Sequence, residues 1–139
     1  MVFETALGGA ALLVGRALFA AVLGVLAFGN LQELDETVAY AESKGAPAAR
    51  LTVPLASVAL VGGAASILLG AAPALGALAV LGFLLGVTPV MHDFWNQDGM
   101  DRQNEQIHFL KNVGLAGTAM VFLALAAMPW PYAVGPTLL

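Results

Sequence analysis

The feature that most constrains the fold is the length of the apolar stretches. Residues 51–92 carry no formal charge with His92 neutral, which is enough for two spans of about 20 residues each and a tight turn at Gly70–Pro73. Hydrophobic residues make up 60% of the chain and charged residues 10%, a balance foreign to a soluble domain of 139 residues. Because lipid leaves no backbone group unpaired, we predict an all-α integral membrane protein of one domain. Its four transmembrane helices should cover about residues 7–28, 52–70, 75–91 and 107–128.

The connection after the first span has a helical pattern of its own. Apolar residues recur at helical spacing, while the acidic and amide side chains between them face the other way. This pattern indicates an amphipathic helix along the membrane interface. Gly45 can adopt a left-handed conformation and Pro47 prevents continuation, so the helix should end there. The apolar positions are Leu31, Leu34, Val38 and Ala41.

The cations predict the topology of a multi-pass protein of the cell membrane. Lys44, Arg50, Arg102 and Lys111 all lie in or beside the two long connections, after the first and third spans. The positive-inside rule therefore places both connections in the cytoplasm and both termini outside. Most of the acids share that face, so we expect no nucleic-acid partner, and the acidic composition would suit a salt-loving host.

Arg16 lies alone within the first apolar stretch, and no Asp or Glu occurs within any other apolar stretch to neutralise it. A cation at bilayer depth costs a few kcal/mol or more, so it needs a role. Ser66 and Thr118 are the polar residues expected at a similar height in an antiparallel bundle, where they would offer hydroxyl acceptors but no charge. Three possibilities follow: the guanidinium snorkels outward, it contacts backbone carbonyls and trapped water, or it binds an anionic or carbonyl-bearing ligand.

A second polar cluster is predicted at the cytoplasmic ends of the third and fourth spans. His108, Lys111 and Asn112 share one helical face, because they lie three and four residues apart. If that face looks inward, they converge with His92 and could bind a quinone carbonyl or a lipid phosphate or pass protons. Alternatively, Trp95 is an interfacial aromatic, Lys111 snorkels and the histidines bond to loop backbone.

Several chemistries are excluded or not expected. The chain has no cysteine, which excludes thiolate catalysis and cysteine-ligated metal clusters. Two histidines at one rim are the minimum for a bis-imidazole haem, and we predict no metal. We find no nucleotide-binding loop and no nucleophile triad, so a self-contained hydrolase or kinase is not expected. In any redox role, a bound cofactor or a partner protein would have to supply the electron carrier.

Six short motifs are distributed along the chain, at residues 16–19, 44–47, 62–63, 69–70, 92–95 and 109–112. Together they resemble the DoxX family of small four-helix membrane proteins. The resemblance covers nearly the whole chain, and its most specific part is the histidine-aromatic motif followed by the start of the last helix. The chain has Asn30 where many members have a histidine, and Ala59 or Leu60 where many have an acid.

The resemblance implies a four-helix architecture and a heterogeneous set of functions. Some members belong to complexes that pass electrons from sulfur compounds to quinone, so a quinone- or redox-linked membrane subunit is the first expectation, with quinone as a possible ligand and redox subunits as partners. The alternative is a non-catalytic scaffold that binds lipid or a partner helix, and a third is a transporter of small hydrophobic solutes. Whether the chain is catalytic is left open. Glycine-rich spans would also allow a homo-oligomer.

Overall fold

The computed structural model describes residues 2–136, and all regular secondary structure in this part of the chain is helical. Four helices are long and apolar enough to cross a membrane, and a shorter helix follows the first of them. The α-helices are α1 (Ala6–Gln32), α2 (Leu34–Ser43), α3 (Ala49–Leu69), α4 (Pro73–Met91) and α5 (Gly99–Leu125). The fold class and the short helix after the first span are thereby confirmed.

The helix ends follow local sequence signals. The Thr5 side chain accepts a hydrogen bond from the amide of Gly8 and so caps the start of α1. Gly45 after α2 and Gly70 after α3 both have positive φ angles, 78° and 68°, as a residue that ends a helix often requires. The predicted turn and helix stop are therefore confirmed. α5 begins at Gly99, well before the apolar residues from 107, with Asp98 at its N-cap position, although the Asp98 side chain forms no capping bond.

α3 and α4 form the centre of the bundle, and the other helices pack against them. α3 contacts α1 on one side and α4 on the other, α5 packs against α4, and α2 lies against α3. Leu23 on α1, Leu60 and Ile67 on α3, and Val80 on α4 are fully buried between them. Many large apolar side chains on the outer faces are exposed, for example Leu18 at 65%, as expected where a helix faces lipid.

The two ends of the bundle differ. At the end that carries the α3–α4 turn, here called the turn end, the segment 129–136 folds back over the bundle. The amide of Val134 donates to the carbonyl of Leu69 at 2.9 Å, and the amide of Ala72 donates to the carbonyl of Pro136 at 2.8 Å. The opposite end, here called the α2 end, carries α2 and the α4–α5 connection. It is the end at which a large cavity opens.

Candidate functional site

A cavity of about 810 Å³ lies at the α2 end, and all five α-helices contribute to its wall. Phe19 of α1 and Phe122 of α5 meet on the turn side of it, with ring centroids 5.2 Å apart. The part of the wall formed by α3 and α4 consists largely of small and aliphatic residues. Examples are Ala56, Ala59, Leu60, Ala79, Gly82 and Gly86. An apolar molecule of considerable size can be accommodated there.

Polar side chains gather at one end of this cavity. His92, His108, Lys111 and Asn112 all line it, so the structure brings together four of the residues that the sequence singled out. The rings of His92 and His108 stack with centroids 5.2 Å apart. Lys111 forms no hydrogen bond or ion pair within residues 2–136, which leaves its ammonium group available to a ligand. We call these four residues the polar rim.

The polar rim is held by a carboxylate that the sequence reasoning did not include. Nδ1 of His92 lies 2.7 Å from Oε2 of Glu105, and the hydroxyl of Tyr40 donates to Oε1 of Glu105 at 3.0 Å. This arrangement fixes the orientation of the His92 ring and joins α2, α4 and α5. Glu105 and His108 are three residues apart on α5, a spacing that could have indicated their proximity in the sequence.

A second contact ties α2 to the end of α4. Nζ of Lys44 donates to Oδ1 of Asp93 at 2.6 Å, and the side-chain amide of Asn96 donates to Oδ2 at 3.0 Å. The hydrogen bond to Asp93 raises the pKa of Lys44, so the cation persists at neutral pH. α2 is thus fastened across one side of the cavity.

Asn112 has a partner inside the bundle. It is 6% exposed, and its side-chain amide donates to the hydroxyl of Thr88 at 3.1 Å, which joins α5 to α4. Its amide oxygen is not part of this bond. Asn112 is therefore the member of the polar rim that joins α5 to α4, and its amide oxygen remains available as an acceptor.

Arg16 lies far from the polar rim, at the turn end, and is fully buried. Nε donates to the carbonyl of Ile67 at 2.9 Å, Nη1 donates to the carbonyl of Pro131 at 2.8 Å, and Nη2 donates to the carbonyl of Leu68. Its guanidinium carbon also lies 5.3 Å from the ring centroid of Trp130. Of the three possibilities considered for Arg16, contact with backbone carbonyls is the one that the structure contains.

The other three sequence candidates lie outside the cavity. Ser66 donates at the α3–α4 turn, 2.6 Å from the carbonyl of Ala71, and Thr118 is exposed and bonds to the carbonyl of Gly114 in its own helix. Trp95 packs edge-on against Phe94 and Phe109 and is 51% exposed. The expectation that Ser66 and Thr118 offer acceptors to Arg16 does not match these contacts, because backbone carbonyls accept its bonds instead.

Ser57 is a further cavity residue that the sequence reasoning did not include. Ser57 on α3 lines the cavity and is 1% exposed, and its hydroxyl has no hydrogen-bond partner within residues 2–136. A serine within an apolar span was the available signal, but α3 also contains Ser66, and the sequence does not say which way either side chain points. Within the same residues no group of three or more metal-ligating side chains converges.

Comparisons with known proteins agree with this architecture. The family model described as DoxX matches residues 11–93, from the first turns of α1 to just past α4. The chain is 32% identical over 115 residues to the inner membrane protein YphA of Escherichia coli strain K12, covering 83% of this chain and 80% of that protein. No solved structure matches the chain.

Proposed function

The chain belongs to the DoxX family, and on that premise we propose that it is a membrane subunit that binds a quinone in the cavity at the α2 end. The observation that carries this proposal is the combination of about 810 Å³ of largely apolar space with the polar rim at one end. Ligand pockets of small molecules have this size and this arrangement of apolar walls with a few polar groups. The apolar tail of a quinone suits the walls, and a carbonyl of its ring suits the rim.

The rim supplies the groups that a carbonyl oxygen requires. The ammonium of Lys111 and the ring of His108 can donate hydrogen bonds, and a cation stabilises negative charge that develops on an oxygen during reduction. Conversion of a quinone to its quinol takes two electrons and two protons. His92, paired with Glu105, is suited to pass a proton, while the electrons would come from a redox partner.

We propose further that the α2 end faces the cytoplasm, where such a partner would dock. Four of the five cations lie in the half of the molecule that contains this end: Lys44, Arg50, Arg102 and Lys111. The positive-inside rule supports this orientation. The partner would then meet the protein close to the polar rim.

A second candidate is a non-catalytic protein that holds a lipid or the helix of a partner. The observation that favours it is the run of alanine and glycine residues along the cavity wall, because small residues allow another helix to approach closely. Transport of a small solute has less support, because the segment 129–136 covers the turn end, opposite the cavity.

The proposal is tested by filling the cavity. A Cβ at Gly82 would meet no atom within 4 Å, and Gly82 lines the cavity, so Gly82→Leu should fold and occupy the ligand's space. Gly114→Leu is the matched control, because Gly114 is equally open but lies outside the cavity lining on α5. Both variants and the unmodified protein would be reconstituted in nanodiscs and titrated with decylubiquinone.

We expect binding by the unmodified protein and by Gly114→Leu, and an affinity at least about tenfold lower for Gly82→Leu, a loss of about 1.4 kcal/mol. Equal binding by all three proteins would contradict the location of the site. Absence of quinone binding, with phospholipid alone co-purifying from native membranes, would instead support the lipid-binding candidate.

A further inference from the structure

Ser57 carries a hydroxyl that is both buried and unpaired, a combination found at no other side chain among residues 2–136. Its Oγ is buried and has no hydrogen-bond partner within the part of the chain that the structure describes. In a helix such a hydroxyl can bond to the carbonyl four residues earlier, here that of Val53, but no such bond is present. Partners are present for Ser43, Thr52, Ser66, Thr88 and Thr118.

The position of Ser57 makes the missing partner costly. It lies eight residues after the start of α3, about 12 Å along the helix, among the apolar residues of the span. An unpaired buried hydroxyl costs about 1–3 kcal/mol. Water that could pair with it is scarce at this depth. A hydrogen-bond partner from outside α3 would remove this cost.

The cavity is where such a partner can come from. Ser57 is among the residues that line it, next to Ala56 and close in sequence to Leu60, both of which line it as well. The Oγ atom itself is covered in the empty cavity, but rotation about the Cα–Cβ bond between staggered positions redirects it. A molecule that fills the cavity can then accept a hydrogen bond from this hydroxyl or donate one to it.

We infer that Ser57 is a binding residue for a neutral carbonyl or hydroxyl group within the apolar body of the ligand. A serine hydroxyl both donates and accepts, which suits a ketone, an ester or an alcohol. An anionic group would instead bind the ammonium of Lys111 at the polar rim. The ligand class is thus an amphiphile with one polar group at the rim and a neutral one deeper in the cavity. This inference rests on the proposed function only in placing the ligand in the same cavity.

The test compares Ser57→Ala with Ser66→Ala and Ser57→Thr. Ser66 lies on the same helix, but its hydroxyl donates at the α3–α4 turn, outside the cavity. For each variant two quantities would be measured in nanodiscs: the affinity for decylubiquinone and the stability of the ligand-free protein. We expect Ser57→Ala to lower the affinity about 3- to 10-fold, the range of one neutral hydrogen bond, and Ser57→Thr to retain most of it.

The stability of the ligand-free protein should move in the opposite sense. Ser57→Ala removes an unpaired polar group and should leave stability unchanged or raise it, whereas Ser66→Ala removes a bonded donor and should lower it without a change in affinity. Unchanged affinity in Ser57→Ala would overturn the inference and leave the cavity proposal standing. A loss of ligand-free stability like that of Ser66→Ala would overturn it too, because Ser57 would then have a partner in the protein.

Failure of the proposed function gives a separate result. If the unmodified protein binds no quinone, the same variants would be compared by native mass spectrometry for the molecule they retain from native membranes. Loss of that molecule from Ser57→Ala, with retention by Ser57→Thr and Ser66→Ala, supports the inference for a different amphiphile. Equal retention by all variants overturns it.

Discussion

At the scale of single residues, Arg16 provides hydrogen-bond donors for backbone carbonyls at the turn end. The last carbonyls of a helix have no partner within the helix, and inside a membrane they need a donor. Arg16 donates to the carbonyls of Ile67 and Leu68 at the end of α3, where the helix dipole also favours a cation. A third bond, to Pro131, holds the segment that covers this end. The planar, forked guanidinium makes all three contacts at once.

We therefore predict that Arg16→Met mainly destabilises the protein. Loss of the charged donor leaves the carbonyls of Leu68 and Pro131 without a partner and that of Ile67 with only the 3.3 Å bond from the Gly70 amide, so the free energy of unfolding should fall by about 3 kcal/mol or more. Unfolding in mixed micelles of mild detergent and SDS, followed by circular dichroism, measures the change. The control is Arg50→Met, because the Arg50 side chain is 88% exposed and Nε lies 3.6 Å from Glu42. That change should stay within about 0.5 kcal/mol. An Arg16→Met protein of unaltered stability would contradict the prediction.

At the scale of the helices, α3 and α4 approach each other closely along a glycine contact. A Cβ at Gly63 would come within 2.8 Å of the Val80 side chain and 2.9 Å of the carbonyl oxygen of Gly76. Gly62, the preceding residue, faces away from α4, and a Cβ there would meet nothing within 4 Å. The close approach positions the wall of the cavity, because both helices continue from this contact to the α2 end.

The paired glycines give a sharp test of this contact. Gly63→Ala should lower the free energy of unfolding by about 1–3 kcal/mol through overpacking, because a backbone carbonyl cannot move aside cheaply. Gly62→Ala should be neutral or stabilise the protein by up to about 1 kcal/mol, because alanine has the higher helix propensity. The same detergent unfolding experiment measures both. Equal effects of the two substitutions would show that α3 and α4 do not pack through Gly63.

At the scale of the whole molecule, the two ends have different designs. The turn end is covered by segment 129–136 and by the contacts of Arg16. The α2 end has the cavity, the polar rim and most of the ionisable side chains. A protein built in this way can admit a ligand at one end while the other keeps the helices together.

The orientation of this asymmetric molecule can be measured with single cysteines, since the natural chain has none. The positive-inside rule predicts that Gln103→Cys, at the start of α5, lies in the cytoplasm. It should resist a membrane-impermeant maleimide in intact cells and react after permeabilisation. Tyr132→Cys, at an exposed position of the turn end, should react in intact cells. The reverse pattern would contradict the proposed orientation.

The fold was predictable because its signals are local. Uncharged stretches of helical length, the positive-φ glycines at residues 45 and 70 and the apolar spacing after the first span each act within a few residues. Parts of the polar rim were predictable for the same reason, because His108, Lys111 and Asn112 share one helical face. Glu105 and Tyr40 were missed, because their meeting depends on the packing of α2 against the rest of the bundle.

The sequence by itself determined that this is a membrane protein of four spanning helices with a short helix after the first, since apolar stretches of about 20 residues cross lipid as helices that pair their own backbone groups. Only the tertiary structure decided where polar side chains find their partners. It gave Arg16 the carbonyls at the end of α3, fastened α2 through Lys44 and Asp93, and left Ser57 beside a cavity without a partner. These outcomes depend on which helix faces meet and at what distance, and no local pattern of residues fixes those quantities.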